Sequence, residues 1–254
     1  MGRTARIRQA AAWLPALLAG ALLVATAPAA AALDLDRRRM LSAEESVPWR
    51  GVGRVNIASF DERGMCTGTL IAETLVLTAA HCVTSPRTGE SYPPGNIHFV
   101  AGWRLGQQTA FSKAESVTVH PGYDHAVRPG LEQIGSDLAL IRLETVIPEE
   151  KAPSFRVAPT PPRRVPLTLI SYRRDRAHAL TRQEGCEIRG ERGSVIALAC
   201  DVTFGASGSP IFAEIEGERR LIAVVSAMSR DEGQPIAWAV RVDAAIPEVL
   251  AALE

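Results

Sequence analysis

The sequence has no surplus of charge: 28 Lys and Arg are matched by 28 Asp and Glu, for a formal net charge of +0. Without a basic excess it lacks the electrostatic footprint of a nucleic-acid binder or of a protein held on an anionic membrane. The short clusters Arg37-Arg38-Arg39 and Arg173-Arg174 read as solvated loops. Beyond the N-terminal segment no apolar run is long enough to span a bilayer. The four cysteines include no Cys-x-x-Cys pair, which argues against a zinc site. No segment repeats another, so any likeness between the halves is architectural. What remains is 254 residues, 46% hydrophobic and 22% charged, the composition of a globular protein with a substantial core rather than of a disordered or fibrous chain.

At the N-terminus, Arg3, Arg6 and Arg8 precede an apolar run from Ala10 to Ala27 that leaves through "APAAAA". This predicts a secretory signal peptide over residues 1–32, cut near Ala30 to Ala32. A membrane anchor is the competing reading, but Pro15 and Pro28 interrupt the run and small residues follow it. The expected location is secreted or periplasmic, with no stable membrane insertion after cleavage. An oxidising compartment favours paired thiols. Chain order suggests Cys66 with Cys82 and Cys186 with Cys200, although four cysteines allow three pairings.

Residues 33–50, "LDLDRRRMLSAEESVPWR", are polar and aperiodic and read as a propeptide or flexible leader. From Gly51 the chain breaks into short β-rich runs: "VGRVNI", "CTGTLI", "TLVLTA", "NIHFVA", "ESVTVH" and "DLALIRL", a first lobe over 51–146. A proline-rich connector follows over 147–166. The second lobe, 167–254, carries "LTLISY", "GSVIALA", "PIFAEI", "RLIAVVSA" and "IAWAVRV". Its end, "DAAIPEVLAALE", reads as a helix capped by Asp243, with Ile246, Val249 and Leu250 on one face. The fold class is therefore all-β, two barrel-like lobes and a C-terminal helix.

Three stretches can carry chemistry: "LTAAHCV" with His81, "GSDLALIRL" with Asp137 and "GASGSP" with Ser207. A serine hydroxyl attacks a carbonyl only when a base takes its proton, imidazole is a base available near neutral pH, and a carboxylate fixes the imidazole tautomer. The backbone N–H groups of Gly205 and Ser207 offer an oxyanion hole. Asp124 competes with Asp137 for the carboxylate role, whereas His98, His120, His125 and His178 stand in no motif.

"CTGTLIAETLVLTAAHC", "SDLALIRL" and "GASGSP", in this order, resemble the histidine, aspartate and serine boxes of the trypsin/chymotrypsin-like serine peptidases, in particular the bacterial branch that includes glutamyl endopeptidases. The resemblance covers residues 51–254. It implies two six-stranded antiparallel β-barrels, with His81 as general base, Asp137 as its orienting carboxylate, Ser207 as nucleophile and Gly205 as second oxyanion donor. It implies a monomeric endopeptidase acting on polypeptides, without metal or organic cofactor. A non-catalytic binding protein on the same fold, or a narrowly specific processing peptidase or esterase, shares these features.

Two departures from the family pattern matter. Animal digestive members place an aspartate before the nucleophile, where it receives a newly cut N-terminal amine; here Ala206 stands there, and "WRGVGRVNI" replaces the Ile-Val-Gly-Gly start. Both halves of that switch are missing together, so an active enzyme needing no N-terminal salt bridge is expected, with a Cys186–Cys200 bridge bracing the turn. Asp201, six residues before Ser207, stands where an acid selects Lys or Arg in trypsin-like members. Ser226, Ala227 and Met228 are expected to form the other pocket wall. The histidine of glutamate-specific relatives is absent from "VVSAMS".

Overall fold

The computed structural model describes residues 1–2, 38–58, 63–127, 130–161 and 165–253. All but the first two residues of the expected signal peptide lie outside these. Strand β1 (Arg38–Met40) comes first, followed by β2 (Val52–Ala58), β3 (Arg63–Ala72), β4 (Leu75–Thr78), β5 (Ile97–Ala101), β6 (Ala110–Val119) and β7 (Ala139–Leu143). The last six close into an antiparallel barrel in the order β2-β3-β4-β7-β6-β5. Alternating side chains such as Val55 and Ile57 point inward with Leu70, Val76, Phe99 and Ile141, and closure leaves no open strand edge. A one-turn helix, α1 (Leu131–Gly135), precedes β7.

The second lobe holds β8 (Leu167–Arg173), β9 (Arg176–Cys186), β10 (Ile188–Arg192), β11 (Val195–Leu198), β12 (Pro210–Ile215), β13 (Glu218–Asp231) and β14 (Gln234–Arg241), then helix α2 (Val242–Ala251). The expected six-stranded barrel is here an eight-stranded antiparallel sheet, β1-β9-β8-β12-β13-β14-β11-β10. β9 and β10 are separated by Glu187 alone yet stand towards opposite ends of this sheet, β9 paired with β8 and β10 with β11. β1 adds an outer strand through Arg39↔Arg182.

That outer strand belongs to the segment 33–50, expected to be a propeptide or flexible leader. Its described part, 38–50, is built into the fold: Leu41 and Trp49 are 1% and 4% exposed and belong to the core shared by the lobes. Trp49 packs on Phe155 and Phe212, with ring centroids 6.1 and 5.2 Å away, and Arg219 lies over its face. Two apolar side chains in a polar stretch carry no period, so the sequence pattern concealed them. The connector packs against the same core. Phe155 is buried against both lobes, its N–H bonded to Leu70 O, and Val157 bridges to Leu221. Asp243 sits in the first turn of α2, paired with Arg241 at 2.9 Å, while Arg241 holds the cap position. Of the expected helix face, Val249 is buried and Leu250 is 40% exposed.

Candidate active site

His81 leaves the end of β4 in a single 3-10 turn, Ala80–Cys82, whose neighbours Ala79 and Ala80 are fully buried. A disulfide from Cys82 to Cys66 on β3 fixes that turn across a separation of 16 residues. Asp137 follows α1 and is buried, its N–H bonded to Ile134 O at 3.2 Å. Its carboxylate meets His81 twice: Oδ1 accepts the His81 backbone N–H at 2.9 Å, and Oδ2 lies 2.7 Å from Nδ1. The hydroxyl of Ser226, on β13 in the second lobe, donates to the same Oδ2 at 2.5 Å. Three donors compensate one buried carboxylate, as such a group requires. Asp124 instead caps Ala126 N–H at the surface, so geometry brings Asp137 and not Asp124 to the imidazole.

The electrostatics follow. Burial alone would lower the His81 pKa, but the charge of Asp137 and its hydrogen bond outweigh it and hold the imidazole above its ordinary 6.5. Burial would likewise raise Asp137; the His81 charge, with bonds from His81 and Ser226, keeps the carboxyl below its ordinary 3.8. Because Nδ1 faces the carboxylate, Nε2 is the nitrogen left for a hydroxyl.

Ser207 sits in the turn between β11 and β12. Gly205 and Gly208 flank Ala206 and Ser207 at φ +88° and +77°, the left-handed region that glycine tolerates. A Cβ on Gly208 would meet Thr67 O at 2.1 Å and Ala79 N at 3.2 Å. The turn therefore presses on the strand end that delivers His81. The Ser207 carbonyl accepts the Thr67 N–H at 2.8 Å. No hydrogen bond joins the Ser207 hydroxyl to His81 among the described residues. Without substrate such a bond is commonly long, and it tightens in the Michaelis complex. The Cys186–Cys200 bridge is present and lies in the second-lobe core beside Ala206, which is 1% exposed.

A cavity of about 200 Å³ opens beside Ser207, bounded by Val202, Thr203, Phe204, Val225, Ala227 and Met228, with Ser226. Ala227 and Met228 thus line it. Ser226 does more than line it, since its hydroxyl is turned onto Asp137. That role was not legible from sequence: the two residues stand 89 positions apart and no local motif joins them. Asp201 does not border this cavity but lines two adjoining ones. Its carbonyl takes Arg173 Nη1 at 2.9 Å and its carboxylate lies 3.9 Å from Arg173 Nη2, so a buried guanidinium shares its charge.

The donor atoms of Cys66, His81 and Cys82 cluster within 4.8 Å. Both sulfurs are consumed in their mutual disulfide, so the cluster offers no thiolate and does not fit a metal centre.

The profile of the trypsin-like peptidase domain matches residues 66–224. Human serine protease 23 is 26% identical over 190 residues, covering 63% of this chain and 48% of that protein. The chain thus spans about half the length of the curated relatives it matches. Among solved structures, a Glu endopeptidase in complex with MPD superposes with a TM-score of 0.70 at 18% identity, covering 85% of this chain and 97% of that one. The thermostable serine protease AL20 from an extremophilic microorganism superposes at 0.65 and 18% identity, covering 84% and 99%. At these identities the likeness is one of fold.

Proposed function

The chain belongs to the trypsin-like peptidase family, and from that premise we propose that it is a secreted serine endopeptidase working through Ser207, His81 and Asp137. The observation that carries this reading is the doubly bonded His81–Asp137 pair, which commits Nδ1 to the carboxylate and leaves Nε2 as the nitrogen able to accept a proton. Ser207 Oγ attacks the scissile carbonyl carbon while His81 Nε2 takes its proton. Charge on the carbonyl oxygen is met by the N–H groups of Gly205 and Ser207. His81 then passes the proton to the leaving amine as the C–N bond breaks. Water, deprotonated by His81, attacks the acyl-serine and releases the acid. Asp137 keeps the proton-carrying nitrogen at Nδ1 and stabilises the imidazolium, remaining ionised itself. The two disulfides and the secretory character of residues 1–32 support a working place outside the cytoplasm.

The cavity beside Ser207 favours an uncharged, apolar residue on the acyl side of the cut bond, because no charged side chain borders it. Asp201, turned to adjoining cavities and matched by Arg173, does not supply a counter-charge for Lys or Arg there. Digestion of a peptide library, with fragments identified by mass spectrometry, tests both statements. Cleavage after apolar residues, absent in Ser207→Ala and unchanged in Asp201→Asn, is the expected profile. Cuts mainly after Arg and Lys that Asp201→Asn abolishes would reinstate the basic pocket. A folded chain that retains peptides without cutting them would be a binding protein on this fold.

A further inference from the structure

We infer that Thr67, on β3 of the first lobe, is a positioning residue of the oxyanion hole, setting the orientation of the turn that other family members set with an acid before the nucleophile. The inference rests on the proposed peptidase reading and deepens it.

Thr67 has no solvent exposure, and both capacities of its hydroxyl are used. It accepts the Tyr172 N–H at 3.0 Å and donates to the Gly205 carbonyl at 3.0 Å. Its backbone N–H donates to the Ser207 carbonyl at 2.8 Å, and its own carbonyl accepts the Thr78 hydroxyl at 2.8 Å. One residue, 138 positions away along the chain from Gly205, therefore grips the carbonyls on both sides of Ala206.

The remaining carbonyls of the turn are also held. Phe204 O accepts the Arg174 N–H at 2.7 Å, Thr203 O the Ala206 N–H at 3.0 Å and Ala206 O the Ser209 N–H at 3.0 Å. All five carbonyls from 203 to 207 thus have donors, whereas the N–H groups of Gly205 and Ser207 meet no protein acceptor among the described residues. In a trans peptide the N–H points opposite to the preceding carbonyl. The planes of the Gly205 and Ser207 N–H groups are thus held through Phe204 O and Ala206 O, and Thr67, through Gly205 O and Ser207 O, fixes the alternate planes that carry the Ala206 and Gly208 N–H groups, so the two donors are oriented between peptide units that Thr67 anchors. A side chain at Gly205 is strained, since its φ is +88° and a Cβ would lie 3.0 Å from Arg174 N and 3.2 Å from Tyr172 O. Ala206 meanwhile contributes an apolar buried side chain and no charge. Among the described residues, the only side-chain hydroxyl that holds a carbonyl of this turn is that of Thr67.

Thr67→Val keeps the shape but leaves a buried carbonyl and a buried N–H without partners, a cost the turn relieves by rotating. Removal of an oxyanion donor costs about a hundred- to a thousandfold in kcat; misaiming one should cost about ten- to a hundredfold. The test uses the folded mature chain, its Thr67→Val and Thr67→Ser variants, a peptide substrate and a peptide boronate, whose tetrahedral adduct places an oxygen in the hole. Thr67→Val should lose kcat and boronate affinity in parallel with KM nearly unchanged, and Thr67→Ser should restore both. The ¹⁵N amide signal of Gly205 reads the turn independently of turnover, and should broaden or split in Thr67→Val alone. If Thr67→Val does not fold, Thr67→Cys, a weak donor, takes its place in every measurement. An unaltered kcat, boronate affinity and Gly205 signal in the folded variant would overturn the inference. An inactive parent chain whose Gly205 signal still depends on the Thr67 hydroxyl would uphold it and refute the peptidase reading instead.

Discussion

In an Asp137→Asn chain the side chain keeps its shape but must put an amide nitrogen where one carboxylate oxygen stood. Oδ1 accepts the His81 backbone N–H at 2.9 Å, so the remaining oxygen is best kept there. The amide nitrogen then takes the Oδ2 place, 2.7 Å from His81 Nδ1 and 2.5 Å from the Ser226 hydroxyl. From there it donates to Nδ1 and forces the imidazole proton onto Nε2, the nitrogen that must receive the Ser207 proton. Flipping the amide restores the tautomer but sets two donors face to face, leaving a buried N–H unpaired at about 1–3 kcal/mol. An asparagine in a triad of this kind lowers kcat about ten-thousandfold, or about 5.4 kcal/mol at 1.36 kcal/mol per decade. The tautomer penalty accounts for part of that, and the missing negative charge beside the imidazolium for the rest. Initial rates on a peptide found in the library digest, with urea unfolding as a control on stability, measure the loss. A folded Asn variant within about tenfold of the parent would refute the roles given to these atoms.

Neutral His81 is the active form and its pKa is raised, so the rising limb of kcat/KM should lie above pH 6.5; a limb at or below that value would contradict the pairing. Asp137, with a lowered pKa, contributes stability that is present above 3.8 and fades as pH falls through its folded value, which acid unfolding of parent and Asp137→Asn chains should reveal as a difference that holds above pH 3.8 and disappears in stronger acid. Trp49→Ala should cost about 3–5 kcal/mol in urea unfolding; a loss under about 1 kcal/mol, the scale of a surface substitution, would make the 38–50 segment peripheral. Replacing Cys66 and Cys82 by serine should lower stability by about 3 kcal/mol and kcat with it, and an unchanged kcat would separate the bridge from the placing of His81.

The strands that were legible in the sequence are those with short apolar runs: "VGRVNI", "CTGTLI" and "RLIAVVSA" lie within β2, β3 and β13. Those that were not, β1, β9 and β10, are made of stretches such as "RAHALTRQEGC", whose charged residues face solvent while a few side chains such as Leu180 pack inward. For such strands hydrophobic period is a weak signal, and pairing with neighbours decides. The same division runs through the site. His81, Asp137 and Ser207 each stand in a local motif that sequence displays. Ser226 and Thr67 act across the interface of the lobes, on partners 89 and 138 positions away, and only folding reveals them. Asp201 shows what counting along the chain leaves open: its distance from Ser207 in sequence suits a pocket base, and its carboxylate stands 3.9 Å from Arg173 Nη2.

Ser207 is proposed to be an activated nucleophile although Ala206 stands in the place of the acid. A fluorophosphonate probe applied to the purified mature chain tests it, with Ser207→Ala and His81→Ala beside it and the labelled peptide mapped by mass spectrometry. One adduct is expected, on Ser207, absent from both variants and formed without prior removal of residues 38–50. Absence of labelling in a folded, disulfide-bonded chain, or labelling only after that segment is cut away, would contradict it.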